Sequence, residues 1–120
     1  MNLTNNIIIK LPDSIGNLPN LSVFLIGSNH LKGIPESIGN MIKLELLDIQ
    51  ENRQLSELPG SIARLRNLRG INLRNTKLES LPSGLKYWNN LVELIMKDNT
   101  QIEELPRTYP FGIEGFYLFN

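Results

Sequence analysis

His30 is the sole histidine of the chain. It is therefore the one side chain whose ordinary titration falls near neutral pH. A serine hydrolase would need it within reach of a serine and an acid, and Ser28 and Asp48 are the residues that the fold could bring beside it. No strained nucleophile turn or oxyanion-hole motif accompanies them. With no cysteine present, disulfides, thiolate metal sites and cysteine nucleophiles are excluded. Asp48, Glu51 and Asp98 are the carboxylates from which a hard-oxygen calcium site would be built, but they lack the loop spacing of such sites. Neither G-x-G-x-x-G nor a P-loop occurs. The chemistry-bearing residues thus predict a non-enzyme with no catalytic residue, no cofactor and no metal.

Composition narrows the partners. The 120 residues are 41% hydrophobic and 20% charged, as in globular domains. Twelve basic and twelve acidic side chains cancel. That balance speaks against nucleic acid or a membrane surface as the general partner. The segment from Arg64 to Lys77 contains no acid, yet its cations divide between a turn and a strand, so they do not form one nucleic-acid patch. The opening apolar run, Ile7–Ile9, is too short for a signal peptide or a membrane span. A cytoplasmic location is expected, or export without a cleaved signal. On that expectation the sequons Asn2-Leu3-Thr4 and Asn20-Leu21-Ser22 are chance matches.

What must position these residues is a repeat. Leu/Ile-Pro pairs recur at Leu11-Pro12, Ile34-Pro35, Leu58-Pro59, Leu81-Pro82 and Leu105-Pro106, at intervals of 23, 24, 23 and 24 residues. Three near copies follow the first three pairs: DSIGNLPNL, ESIGNMIKL and GSIARLRNL. SGLKYWNNL is a looser fourth. Each leads into apolar residues spaced by three and two: Leu21, Phe24, Ile26, Asn29, Leu31; then Leu44, Leu47, Ile49, Asn52, Leu55. The third and fourth sets are Leu68, Ile71, Leu73, Thr76, Leu78 and Leu91, Leu94, Met96, Asn99, Ile102. The longer repeats carry one extra residue after Asn52 and Asn99, giving a larger period of 47 residues. This points to duplication of a two-repeat unit.

The pattern resembles the leucine-rich-repeat family, whose signature is L-x-x-L-x-L-x-x-N-x-L. It is closest to the L-P-x-x-I-x-x-L-x-x-L subtype of bacterial and plant intracellular members. The resemblance implies an α/β leucine-rich-repeat right-handed solenoid, a horseshoe arc. Short parallel strands would line its concave face and short helical or 3₁₀ turns its convex face. Residues 1–120 then form one domain. It comprises a partial repeat 1–10, repeats 11–33, 34–57, 58–80 and 81–104, and a degenerate terminal repeat or cap over 105–120.

The physics of the pattern supports this. A stretch x-L-x-L-x has the period of a strand, so its leucines point inwards and its x residues outwards. Successive strands pair and cover each other's apolar faces. Asn6, Asn29, Asn52 and Asn99 form a ladder whose amides can satisfy buried backbone groups, and Thr76 interrupts it. Proline suits the start of each convex turn, and the following serine can cap it.

Outward residues fall into rows: Val23, Leu46, Gly70, Glu93; then Asn2, Leu25, Asp48, Asn72, Ile95, Tyr117; then Thr4, Gly27, Gln50, Arg74, Lys97, Phe119; and Asn5, Ser28, Glu51, Asn75, Asp98. From these the protein-binding candidates are Val23, Leu25, Leu46, Asp48, Gln50, Asn72, Arg74, Ile95, Lys97 and Tyr117. Apolar patches around central Arg and Tyr suit recognition of a protein partner. Strand propensity alone is the competing explanation for Val23, Leu25 and Leu46. Glu45 and Arg69, in equivalent positions on adjacent strands, are expected to pair. Five of the eight aromatics lie in the last twelve residues. They form either a terminal cap or, through Phe111, Phe116 and Phe119, a self-association edge giving a weak homodimer. The expected function is non-catalytic presentation of a rigid concave surface. Two alternatives stand beside it. One is the substrate-recognition fragment of a bacterial effector of the ubiquitin-ligase type, with catalysis in an absent domain. The other is a self-assembling structural piece.

Overall fold

Alternation of large apolar and variable residues produces strands wherever one face can be covered. In the computed structural model, which describes residues 1–99 and 102, these are β1 (Val23–Leu25), β2 (Leu46–Asp48), β3 (Gly70–Asn72) and β4 (Glu93–Ile95). They form one parallel sheet in chain order. Val23, Leu46, Gly70 and Glu93 stand in register, as do Leu25, Asp48, Asn72 and Ile95. Asn2 bridges Leu25 and extends the second row by one repeat. The central residue of each strand, Phe24, Leu47, Ile71 and Leu94, is buried against the neighbouring layers.

Among the described residues the convex side carries four 3₁₀ turns: Asp13–Asn17, Glu36–Asn40, Gly60–Arg64 and Ser83–Tyr87. Each is preceded by a proline, whose fixed φ and missing N–H suit that position. The first closing bond of each spans three residues, as in Ile38 N–H to Pro35 O at 3.0 Å. The serines do not cap these turns; no side chain does. Ser61 instead donates to Glu36 O of the previous turn at 2.6 Å, because the serine faces its neighbour rather than its own turn.

That orientation follows from tight stacking. A Cβ on Gly16 would lie 2.5 Å from Ser37 O, and one on Gly39 would lie 2.6 Å from Ser61 O. The third repeat has Ala63 at this position, and its facing residue is Gly84, where an added Cβ would meet the Ala63 Cβ at 2.6 Å. The methyl has moved across the contact without adding to it.

Among the described residues one apolar cluster runs from repeat to repeat. Trp88 replaces the aliphatic residue of the earlier repeats, Met41 and Leu65 among them, and is fully buried. Its indole N–H is satisfied by Ile62 O at 3.1 Å.

The asparagines join successive strand exits. Asn52 Nδ2 lies 3.1 Å from Ile26 O in the preceding repeat and 2.9 Å from Ile49 O in its own, and its Oδ1 accepts from Leu31 N–H. Asn29 does the same towards Leu3 O, Ile26 O and Ile8 N–H. At the first rung, Asn6 reaches only the carbonyls of its own turn, Leu3 O and Thr4 O. Thr76 makes no bond to the repeat before it, but Thr76 Oγ1 lies 2.7 Å from Asn99 Oδ1, and Asn99 Nδ2 reaches Leu73 O. The extra residue after Asn52 explains why a threonine suffices. It lets Leu55 N–H close onto Asn52 O at 3.0 Å, so the longer loop satisfies its own donor.

Candidate protein-binding face

The outward rows are set by the strands and by what happens as each chain leaves them. Asn5, Ser28, Glu51, Asn75 and Asp98 all have φ between 50° and 64°. This left-handed step turns each strand exit away from the sheet. Immediately before it, three Asx residues brace the exit. Asn2 Oδ1 accepts from Thr4 N–H at 3.0 Å, Asp48 Oδ1 from Gln50 N–H at 3.1 Å, and Asn72 Oδ1 from Arg74 N–H at 3.1 Å. The sequence carries this as Asn/Asp two residues before a polar residue, a signal that row assignment alone overlooks.

The structure brings most of the candidate residues onto one surface. Val23 and Leu46, each 38% exposed, stand side by side on β1 and β2. Leu25 and Ile95 are half-buried in the second row, beside Asp48 and Asn72. Gln50 is also half-buried and holds Asp48 Oδ2 through its amide at 3.1 Å. Arg74 and Lys97 are exposed in the third row. Tyr117 and the edge residues Phe111, Phe116 and Phe119 lie outside the described residues.

The charges pair differently from the sequence expectation. Glu45 and Arg69 share a backbone bond, Arg69 N–H to Glu45 O at 2.8 Å, but their side chains form no ion pair. Both sit at the lower margin of the sheet, and register there joins their backbones without converging their long side chains. The ion pairs among the described residues involve the strand-exit row. Arg74 Nε meets Asp98 Oδ2 at 3.1 Å, and Arg53 meets Glu51 Oε2 at 3.1 Å. Asn75 adds a bond to the same Glu51 oxygen. Arg66 lies over the Tyr87 ring at 5.7 Å. Asp48, Glu51 and Asp98 are thus each engaged with a different partner, and no group of three or more potential metal ligands occurs among the described residues. His30 is exposed, and no hydrogen bond joins it to Ser28 or Asp48.

A second asparagine series, unnoticed in the repeat pattern, secures the lower margin. Asn67 Nδ2 donates to Ile42 O at 2.8 Å and Asn90 Nδ2 to Arg66 O at 2.9 Å, with Lys43 donating to Asn20 Oδ1 at 3.2 Å. Its signal is the recurring Asn-Leu of PNL, RNL and NNL.

Gly70 interrupts the first row. Leu46 Cδ1 leans over it, 3.1 Å from where a Cβ would stand. Gly70 is buried beneath it, and Val23, Glu45, Arg69, Val92 and Glu93 line a shallow depression alongside.

Comparison with known proteins agrees with the fold. No family model matches the sequence, and neither does any curated protein. Among solved structures, a leucine-rich-repeat protein of Leptospira interrogans superposes with a TM-score of 0.85 at 34% identity over 89% of this chain. The leucine-rich-repeat domain of the type III effector XopL superposes with the same TM-score, 0.85, at 24% identity over 99% of the chain. The chain spans 27% of the first structure's length and 43% of the second's. A single parallel sheet, proline-led 3₁₀ turns and an asparagine ladder define a solenoid of stacked repeats. The chain is a leucine-rich-repeat protein.

Proposed function

We propose that this chain is a non-catalytic module that binds a protein partner on its concave sheet. The observation that carries the reading is the placement of Val23 and Leu46, aliphatic and solvent-exposed, next to half-buried Leu25 and Ile95 on rigid, registered strands. Aliphatic side chains ringed by polar ones suit a recognition surface. Binding works by complementarity: the backbone is fixed by the ladder, so the partner meets a preformed face and little ordering cost falls on this side.

Affinity capture from lysate, identified by mass spectrometry, tests this. Wild type is run beside a Leu25→Arg/Ile95→Glu variant whose folding is checked by denaturation. A protein held by wild type and lost by the variant supports the reading. Identical captures from both overturn it and move the functional surface elsewhere. The likeness to an effector's repeat domain favours, as second reading, substrate recognition on behalf of a catalytic domain elsewhere in a longer protein.

A further inference from the structure

We infer that the flank running from the strand exits to the convex turns pairs with the same flank of a second copy of this chain, Lys10 and Lys32 of one copy meeting Glu79 and Glu57 of the other. This goes beyond the concave-face reading and does not depend on it.

Just before each of the first four Leu/Ile-Pro pairs, two residues fall on this flank: Ile9-Lys10, Lys32-Gly33, Ser56-Glu57 and Glu79-Ser80. Backbone bonds set segments side by side, Lys32 N–H to Ile9 O and Glu79 N–H to Ser56 O, both at 3.3 Å. Each segment carries one charge here, and the sign changes once along the array: two lysines, then two glutamates. All four side chains are exposed, and among the described residues none forms an ion pair. Neighbours of like sign cannot compensate each other, and Lys32 and Glu57, where the sign changes, do not meet. The same flank carries Ile7 and Ile9, 81% and 57% exposed, the two most exposed large hydrophobic residues among those described. Beside Ile9 a groove lined by Leu11, Ile34 and Pro35 opens at Gly33, where a Cβ would meet nothing within 4 Å. Clustered aliphatic surface of this kind marks a place of association.

Charge order selects the occupant. A face that reads plus, plus, minus, minus is complementary to its own copy turned end for end, which is what a two-fold interface requires. A two-fold axis running from the concave to the convex side sets the first segment against the fourth and the second against the third. Lys10 then faces the segment of Glu79, and Lys32 that of Glu57. An axis along the array would instead oppose each segment to itself, lysine to lysine and glutamate to glutamate, which is repulsive. The rows on either side raise no conflict in the first arrangement. Nearer the strand exits, Ile7 comes opposite Lys77, whose aliphatic stem can cover it, and His30 comes opposite Gln54. Nearer the turns, Asp13 comes opposite Ser83 and Glu36 opposite Gly60. The same axis leaves both concave sheets free and on one side of the dimer, so a partner with two matching sites gains avidity.

Sedimentation equilibrium of the full chain over a concentration series tests this. The wild-type mass should rise from one chain towards two, and added salt should weaken the dimer. Lys10→Glu/Lys32→Glu makes the flank wholly acidic, and Glu57→Lys/Glu79→Lys makes it wholly basic. Each variant alone should stay monomeric, since every pair becomes a like-charge contact. An equimolar mixture of the two should restore a one-to-one dimer, tighter than the wild type. Denaturation checks that both variants fold; should either fail, Lys32→Glu and Glu57→Lys carry the test, each weakening the dimer roughly tenfold or more alone and recovering it when mixed. A wild type that stays at one chain's mass, a dimer indifferent to salt, or a mixture that remains monomeric would overturn the inference. So would a dimer formed by either reversed variant alone, which would place self-association on another surface.

Discussion

Asn52 is fully buried, yet its amide is satisfied on both sides, by two repeats' carbonyls and by the Leu31 N–H. Such a residue is costly to truncate, because every partner it leaves behind is buried too. Thr76 permits a finer experiment. Thr76→Val keeps the shape but leaves Asn99 Oδ1 with only the Thr76 N–H at 3.3 Å. It should cost about 1–3 kcal/mol in chemical denaturation, the usual penalty for an orphaned buried group. Leu73→Ala should cost about 2–5 kcal/mol, since Leu73 is fully enclosed at the centre of the array. Its neighbour Arg74 is nearly half exposed and pairs only with Asp98, so Arg74→Glu should change stability by at most about 1 kcal/mol. Equal losses from the two substitutions would refute the inside–outside assignment. That assignment is legible in the sequence because side-chain direction follows chain period. Which charges meet is not: Arg74 reaches Asp98 one row over and one strand along, whereas Glu45 and Arg69, in line, do not pair. Rotamers and the turn at the strand exit decide this, and neither leaves a trace in spacing.

The convex turns show what legibility means for an element. Proline and the Ser-Ile-Gly motif announce a short helical turn, and the four described repeats from Leu11 onwards each have one. The reason for the small residues lies in the contact between adjacent turns. Gly39→Ala should destabilise by about 1–3 kcal/mol, since the new methyl meets backbone at Ser61. Gly84→Ser should do likewise against Ala63, and the paired change Ala63→Gly/Gly84→Ser should recover much of the loss. A double-mutant cycle measures that coupling, expected at about 0.5–3 kcal/mol for residues in contact. Strictly additive losses would show that the turns do not read each other's size. A serine two residues after proline suggests a cap when one repeat is considered alone, but Ser61 bonds the neighbouring turn and the buried Ser37 hydroxyl bonds nothing.

Across the molecule, each layer is stabilised mainly by the layers beside it. Leu3 and Ile8 are half-buried, while their counterparts Ile26, Leu31, Ile49 and Leu55 are fully enclosed. Amide exchange should therefore slow from the first repeat towards β2 and β3, with Leu3 and Ile8 exchanging well before Ile49 and Leu73. Uniform protection along the array would contradict nearest-neighbour stabilisation. The stacking order itself was readable from the regular interval of Leu-Pro pairs, and the parallel order of the four strands follows it.

The ladder also bears on how such a gene can lengthen. The residue inserted after Asn52 closes its own loop, and the rung that follows is a threonine; the shorter loop after Asn29 relies on the next asparagine. Loop length and the identity of the succeeding rung are thus inherited as a matched couple. Unequal crossing-over that copies the 47-residue pair carries each loop along with the rung that suits it. A crossover offset by a single repeat sets a short loop before a threonine, stranding a donor such as the Leu31 N–H inside the fold. Lineages that expand this array should therefore be found adding repeats in twos.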